Sequence, residues 1–109
     1  MNFNKYQAEA RKTAIYPNLG DNLVYPVLGL CGEAGEVAEK VKKVMRDKGG
    51  LWDKESRQKL AEELGDVLWY VANIAYELDL PLGHIAKKNI DKLKSRQERG
   101  KLQGDGDDR

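Results

Sequence analysis

The sequence predicts an all-α protein, a bundle of about four helices per chain. Apolar residues recur every three or four positions in two long segments, which is the spacing of one helix face. No stretch alternates between apolar and polar residues as a half-buried strand would. Charged residues make up 34% of the 109 residues, as expected for amphipathic helices with solvated outer faces. This length fits a single domain, residues 1–109.

The first helix is predicted over residues 5–15. Asn2 or Asn4 is expected to cap it, because asparagine side chains accept hydrogen bonds from the first free backbone N–H groups. A turn follows, since Pro17 disfavours a helical conformation in the residue before it and Gly20 favours turns. The apolar residues at helical spacing are Tyr6, Ala10 and Ala14.

A second helix is predicted over residues 22–47, where Pro26 either kinks the helix or marks its first turn. Gly29, Gly32 and Gly35 interrupt this segment, and each costs roughly 1 kcal/mol relative to alanine in a helix interior. They predict a close approach by another helix or by a ligand. The stripe expected to face the core comprises Val27, Leu30, Cys31, Ala34, Val37, Ala38, Val41, Val44 and Met45.

A connector with two glycines, residues 47–53, leads to a third helix that Asp53 or Ser56 caps and that ends near Leu78. Two long helices joined by a short connector pack antiparallel. Trp69 points nearly opposite the apolar stripe and is interpreted as an interface or base-stacking residue. The predicted core stripe is Leu60, Leu64, Val67, Leu68, Val71, Ala75 and Leu78.

A last helix is predicted over residues 82–99, followed by a tail, residues 100–109, that is rich in glycine and aspartate. The tail carries no helical pattern, and we expect it to be flexible or to form an interface. Ile85, Ala86, Ile90 and Leu93 are expected to point inward, and Asn89, Lys92 and Arg96 share a polar face.

Composition excludes several classes of protein. A net charge of +1 gives no overall field for nucleic acid or an anionic membrane. No segment has the length and apolar character of a signal peptide or a membrane span, so a cytoplasmic protein is expected. Cys31 is the only cysteine, which excludes an internal disulfide, and its apolar surroundings predict a buried, inert thiol. A chain this short buries a limited core, which favours a homo-oligomer.

Two acidic pairs carry the strongest chemical signal. Glu33 and Glu36 form one pair, and Glu63 and Asp66 form the other, each spaced so that both carboxylates leave the same side of a helix. Like charges at this spacing repel, so a cation between the two helices is expected. Oxygen-only ligands favour a hard ion, Mg²⁺ or Mn²⁺.

Plainer interpretations compete with this one. Each carboxylate alone is typical of a solvated helix surface, and Lys40 or Lys43 would neutralise the glutamates by pairing along the helix. Lys92 and Arg96 suit either a phosphate partner or a solvated face. Tyr70 suits base stacking or packing. The remaining candidate, His84, lacks the Glu-x-x-His spacing of a di-iron bundle.

These residues resemble a known family. Glu33-x-x-Glu36 followed by Glu63-x-x-Asp66 is similar to the E-x-x-E…E-x-x-D motif of the MazG-type nucleoside triphosphate pyrophosphohydrolases. The flanking sequences match the family as well. They are Gly-Leu-Cys-Gly-Glu-Ala-Gly-Glu, Glu-Glu-Leu-Gly-Asp-Val-Leu-Trp-Tyr and Asn89-x-x-Lys92-Leu93-x-x-Arg96. The similarity extends over nearly the whole chain. All-α dUTPases, dCTP pyrophosphatases and phosphoribosyl-ATP pyrophosphatase are grouped with this family.

The resemblance implies a four-helix unit completed by a second subunit, in a dimer or a tetramer made of dimers. It implies Mg²⁺-dependent hydrolysis of nucleoside triphosphates, dNTPs in particular, between the α- and β-phosphates, as a step in nucleotide-pool sanitation. A metal-activated water would attack the α-phosphorus, with Glu36 helping to deprotonate it. The implied metal ligands are Glu33, Glu36, Glu63 and Asp66, and the implied substrate-binding residues are Tyr70, Asn73, Asn89, Lys92 and Arg96.

Two other functions remain open at this stage. One is phosphoribosyl-ATP pyrophosphatase, which acts in histidine biosynthesis. The other is a helical module that binds a nucleotide or a partner helix without turnover.

Overall fold

The computed structural model describes residues 1–109 and contains four α-helices and no strand. They are α1 (Phe3–Lys12), α2 (Val24–Asp47), α3 (Lys54–Glu77) and α4 (Leu82–Glu98). The predicted all-α class and the four helices are confirmed. No helix combines the length and the apolar character needed to cross a membrane.

Helices α2 and α3 form an antiparallel hairpin. Lys48 contacts Ser56 near the connector, whereas Gly29 lies against Tyr70 at the other end. Gly49 and Gly50 have positive φ angles, which let the chain leave α2. Asp53 then caps α3, as predicted, by accepting a hydrogen bond from the Ser56 amide at 2.8 Å. The sequence therefore places both acidic motifs on facing helices.

Helix α1 ties α4 to the hairpin. Asn2 caps α1, accepting from the Lys5 amide at 2.8 Å, whereas Asn4 accepts from the Gly83 amide in the first turn of α4. The Gln7 carboxamide also accepts from the Leu82 amide, at 3.0 Å. These side chains satisfy N–H groups that the start of a helix leaves free. A small core lies here, formed by Ala10, Ala72, Ala75 and Leu82.

A buried ion pair fixes the segment between α1 and α2. Arg11 and Glu77 lie 3.4 Å apart with side chains 11% and 1% exposed. One oxygen of Glu77 also accepts hydrogen bonds from the Tyr16 hydroxyl and the Gly20 amide, both at 3.0 Å. Burial alone would raise the pKa of Glu77, but these hydrogen bonds and the charge of Arg11 together lower it.

The predicted apolar stripe of α2 is mostly not a core within one chain. Val44 is the only member that is fully buried, and Cys31 is exposed, so the expected buried thiol is wrong. The reason is that α2 packs only against α3. Leu64, Leu78, Ile90 and Leu93 of the other stripes are likewise exposed. The Cα radius of gyration is 16.8 Å, against about 13 Å for a compact domain of this length.

Trp69 does not point away from the core as predicted. Its side chain is half-buried against the core of α1 and α3. The indole N–H donates to the Thr13 hydroxyl at 2.8 Å. The physical reason is that α1 packs against α3 beside Ala72 and Ala75, and it covers the indole as well as part of the predicted stripe.

The tail folds back as a closed loop at the end of α4. The Arg109 guanidinium donates to the carbonyl oxygens of Lys101, Leu102 and Gly106, at 3.2, 2.9 and 2.6 Å. Gly100, Gly104 and Gly106 adopt positive φ angles within the loop. Asp107 thereby reaches the side chains of Lys92 and Arg96, at 3.1 and 3.3 Å.

Candidate metal centre

Three of the four predicted acidic residues meet at the middle of the α2–α3 hairpin. Glu33 comes from α2, and Glu63 and Asp66 come from one turn of α3. Each offers a carboxylate oxygen, and these oxygens all lie within 4.8 Å of one another. The antiparallel register places the first motif opposite the second, so the i, i+3 spacing produces a single acidic group.

The electrostatics of this acidic group are unfavourable for the chain alone. Burial raises the pKa of Glu33, and the neighbouring carboxylates of Glu63, Asp66 and Glu36 raise it further. In addition, Oε2 of Glu33 is buried without a hydrogen-bond partner. An orphaned buried oxygen and all-oxygen donors fit a hard divalent cation.

Glu36 lies outside the acidic group, one turn further along α2, and its side chain is exposed. Its roles as a metal ligand and as a catalytic residue therefore stay predictions. The competing local ion pairs do not form, since neither Lys40 nor Lys43 is paired with Glu33 or Glu36. Lys40 instead reaches across the hairpin to Glu63, with 3.9 Å between Nζ and Oε1.

Aromatic rings border the acidic group. Tyr70 and Trp69 line an open cleft of about 310 Å³ together with Glu33 and Asp66. Their rings meet edge to face with centroids 5.0 Å apart. Burial raises the pKa of Tyr70, as do the nearby Tyr25, Glu33 and Asp66. The cleft thus combines an apolar ring surface with carboxylates, which suits a ligand that has both a base and phosphates.

Gly29 explains the position of the Tyr70 ring. A Cβ atom at Gly29 would overlap the ring, so this glycine permits the close approach that the sequence predicted. At Gly32 and Gly35, by contrast, an added Cβ would meet no atom within 4 Å. The close approach in this chain is therefore made by a side chain at one glycine of the three.

The other predicted substrate-binding residues lie apart from this cleft. Asn73 is 1% exposed, accepting a hydrogen bond from Arg11 and donating one to the Trp69 carbonyl. Arg96 is 4% exposed and contacts the tail. Asn89 and Lys92 line a separate, open groove along α4 with Leu80, His84, Ile85 and Lys88. Binding of substrate by these four residues stays a prediction.

Two contacts lie beyond what helical spacing indicates. Spacing relates Lys40 only to residues of its own helix, although an antiparallel hairpin also brings Glu63 of α3 within its reach. Asp107 lies in a segment without periodicity, and no local pattern indicates that it pairs with Lys92 and Arg96.

A comparison with family models decides the relationship. The model of the MazG nucleotide pyrophosphohydrolase domain matches residues 25–100. The chain belongs to this family. The MazG match contains both acidic motifs and the whole of α4, and it confirms the resemblance found in the sequence.

The chain is also similar to the Gene 37 protein of Mycobacterium phage L5. The two are 50% identical over 114 aligned residues, which cover the whole of both chains. That name describes no activity, so it adds no reaction to the MazG assignment. No solved structure matches the chain.

Proposed function

We propose that this chain is a divalent-metal-dependent nucleoside triphosphate pyrophosphohydrolase that acts on the cytoplasmic nucleotide pool, dNTPs included. The observation that carries the proposal is the acidic group of Glu33, Glu63 and Asp66, with its orphaned buried oxygen, in a chain of the MazG family. The products are a nucleoside monophosphate and pyrophosphate.

The bond changes assign distinct tasks to the acidic residues. A water oxygen bonds to the α-phosphorus while the bond from that phosphorus to the β-phosphate oxygen breaks. Glu33, Glu63 and Asp66 would hold Mg²⁺, or Mn²⁺ in its place, with Glu36 as a further ligand. The bound ion would supply polarisation of the phosphate oxygens and a lowered pKa of a bound water. We assign the proton of the attacking water to Glu36, whose carboxylate is exposed beside the group.

The aromatic cleft accounts for the nucleoside. Tyr70 provides a ring surface next to Glu33 and Asp66, and a base stacked there would place its phosphates toward the acidic group. Asn73 supports the cleft from the interior by its hydrogen bond to the Trp69 carbonyl, at 3.0 Å. Asn89, Lys92 and Arg96 contribute polar groups from α4 to the substrate.

A second copy of the chain completes the bundle in this proposal. The uncovered face of α2 includes Val24 and Leu28, which are 66% and 65% exposed. Faces of this kind destabilise a monomer in water, and a four-helix unit built from two hairpins covers them. Sedimentation of Leu28→Asp should show dissociation. The control is Ile15→Asp, which changes an apolar residue outside α2 that is 92% exposed.

The reaction is tested by pyrophosphate release from each common dNTP and NTP in the presence of Mg²⁺. Wild type should turn over at least one of them, and Glu36→Gln and Asp66→Asn should lose the activity while remaining folded. Glu62→Gln is the matched control, because Glu62 is an exposed neighbour on α3 outside the acidic group. Ranking the substrates gives the base and sugar preference.

If wild type releases pyrophosphate from none of these nucleotides, the proposed reaction is wrong. Turnover of phosphoribosyl-ATP would then identify the histidine-pathway alternative. Tight nucleotide binding without pyrophosphate release would identify a non-catalytic module.

A further inference from the structure

A second cleft lies between the C-terminal half of α2 and the first turns of α3. Its volume is about 240 Å³, and the buried side chain of Val44 forms part of its wall. Four ammonium groups face a single carboxylate in its lining. The lining residues are Lys40, Lys43, Val44, Asp47, Lys48, Ser56 and Lys59.

The lysines of this cleft differ in their partners. Lys48 pairs with Asp53 at 3.1 Å and Lys59 pairs with Glu55 at 2.9 Å. Lys43 has no carboxylate within 4.0 Å. The one acidic lining residue, Asp47, is already held by Arg46 at 2.7 Å. Lys43 is therefore the one lysine of the cleft whose ammonium group has no ion-pair partner in the chain.

The cleft adjoins the acidic group. Lys40 lines it and also contacts Glu63, one of the three clustered carboxylates. Lys59 precedes Glu63 by one helical turn, about 6 Å along α3. A polyanion whose first phosphate lies at the acidic group would extend its remaining phosphates along this path.

We propose that this lysine cleft binds the β- and γ-phosphates of the nucleoside triphosphate and retains pyrophosphate after hydrolysis. The assignment rests on the proposed function, which supplies a triphosphate and a pyrophosphate product. The potentials of four lysines along one cleft add, so the cleft attracts a polyanion more strongly than a single lysine would. Lys43 differs in this respect from Lys92 and Arg96, which both pair with Asp107 of the tail.

The test is calorimetric binding of inorganic pyrophosphate and of inorganic tripolyphosphate, without a nucleoside, with and without Mg²⁺. Lys43→Gln should weaken binding about tenfold, the loss of one charge-assisted contact. Lys42→Gln is the matched control, because Lys42 is the neighbouring residue, does not line the cleft, and pairs with Glu39 at 3.0 Å. That control should retain wild-type affinity within about twofold.

Two results would contradict the proposed phosphate-binding role of the lysine cleft. One is that wild type binds neither polyphosphate, and the other is that both lysine variants weaken binding equally, which would indicate general charge alone. The reaction can fail separately from the cleft. If polyphosphate binding depends on Lys43 but no nucleotide is turned over, the phosphate-binding role of the cleft is supported and the proposed hydrolysis is rejected. If nucleotides are turned over but Lys43→Gln binds polyphosphate as wild type does, the hydrolysis is supported and the role of the cleft is rejected.

Discussion

Nζ of Lys40 lies 3.9 Å from Oε1 of Glu63, across the interface between α2 and α3. This single contact joins two regions of opposite charge, the acidic group and the lysine cleft. In a substrate complex of a divalent cation and phosphates, the carboxylates would bind the cation and the ammonium groups would bind the phosphates. The hairpin therefore carries a charge pattern complementary to that of the complex that it is proposed to bind.

Glu33→Gln should separate stability from metal binding. The substitution removes a buried charge and supplies an amide that donates to Glu63 and Asp66. The melting temperature in EDTA should therefore rise by about 4 °C, the equivalent of roughly 1 kcal/mol. The stabilisation that Mg²⁺ gives to wild type should disappear. Thermal unfolding in EDTA and in Mg²⁺ measures both effects, the rise in melting temperature and the stabilisation by the ion, with Glu62→Gln as the control. If Mg²⁺ still stabilises Glu33→Gln, Glu33 is not a metal ligand.

Glu77 should determine how the free energy of unfolding falls at acidic pH. Its pKa is lowered in the folded state, so between that value and its ordinary value of 4.5 the unfolded chain binds the proton more tightly. The stabilisation is thus fully present above pH 4.5 and is lost as the pH falls through the folded-state pKa. Glu77→Gln should cost about 2 kcal/mol at pH 7, and the difference from wild type should shrink below pH 4.5.

Urea unfolding from pH 7 to pH 3 measures this effect. Glu9→Gln serves as the control, since Glu9 lies on the surface of α1 and its pair with Lys12 is exposed. A constant difference between Glu77→Gln and wild type at all pH values would contradict the assignment.

Gly29→Ala should displace Tyr70. An added methyl group overlaps the ring, and overpacking of this kind costs about 1–3 kcal/mol. Gly32 lies three residues further along the same helix, and a Cβ added there would meet no atom within 4 Å. Gly32→Ala should therefore stabilise the protein by up to about 1 kcal/mol through higher helix propensity. Unfolding curves at one fixed protein concentration compare the two. Equal stabilities would mean that the ring moves aside without cost.

Asp107→Asn should strengthen substrate binding if Lys92 and Arg96 contribute to the substrate site from α4, as proposed. The Asp107 carboxylate neutralises both cations at 3.1 and 3.3 Å, and the substitution removes that competition. We expect KM for a turned-over nucleotide to fall about threefold. Asp105→Asn makes the same change in net charge within the same loop, at a carboxylate without an ion-pair partner, and should leave KM unchanged. A rise in KM in Asp107→Asn alone would show that the tail positions the two cations for substrate.

Helical periodicity predicted the hairpin well, and it failed at Cys31 and Leu64 for one physical reason. Spacing along a helix determines which side chains share a face, but not whether the same chain or another copy covers that face. Val44 is buried because α3 lies against it, whereas the rest of the α2 stripe has no neighbour in this chain. An amphipathic pattern identifies a buried face only when all packing partners are known.

The acidic site was predictable in part because it depends on local spacing and one antiparallel register. Glu33, Glu63 and Asp66 meet as expected, while packing against α3 leaves Glu36 on the exposed side. The contacts of Asp107 were not predictable, because they depend on how Arg109 closes a loop of glycines and aspartates. Loop closure of this kind has no periodic signature in a sequence.

The exposed thiol of Cys31 provides a reporter for the uncovered face of α2. It lies two residues before Glu33 and is the only cysteine of the chain, so one alkylating reagent modifies one defined position. If a second copy covers this face, alkylation should slow as the protein concentration rises, and Leu28→Asp should react quickly at every concentration. The kinetics of a single covalent label would then report subunit exchange near the acidic group without any assay of the reaction.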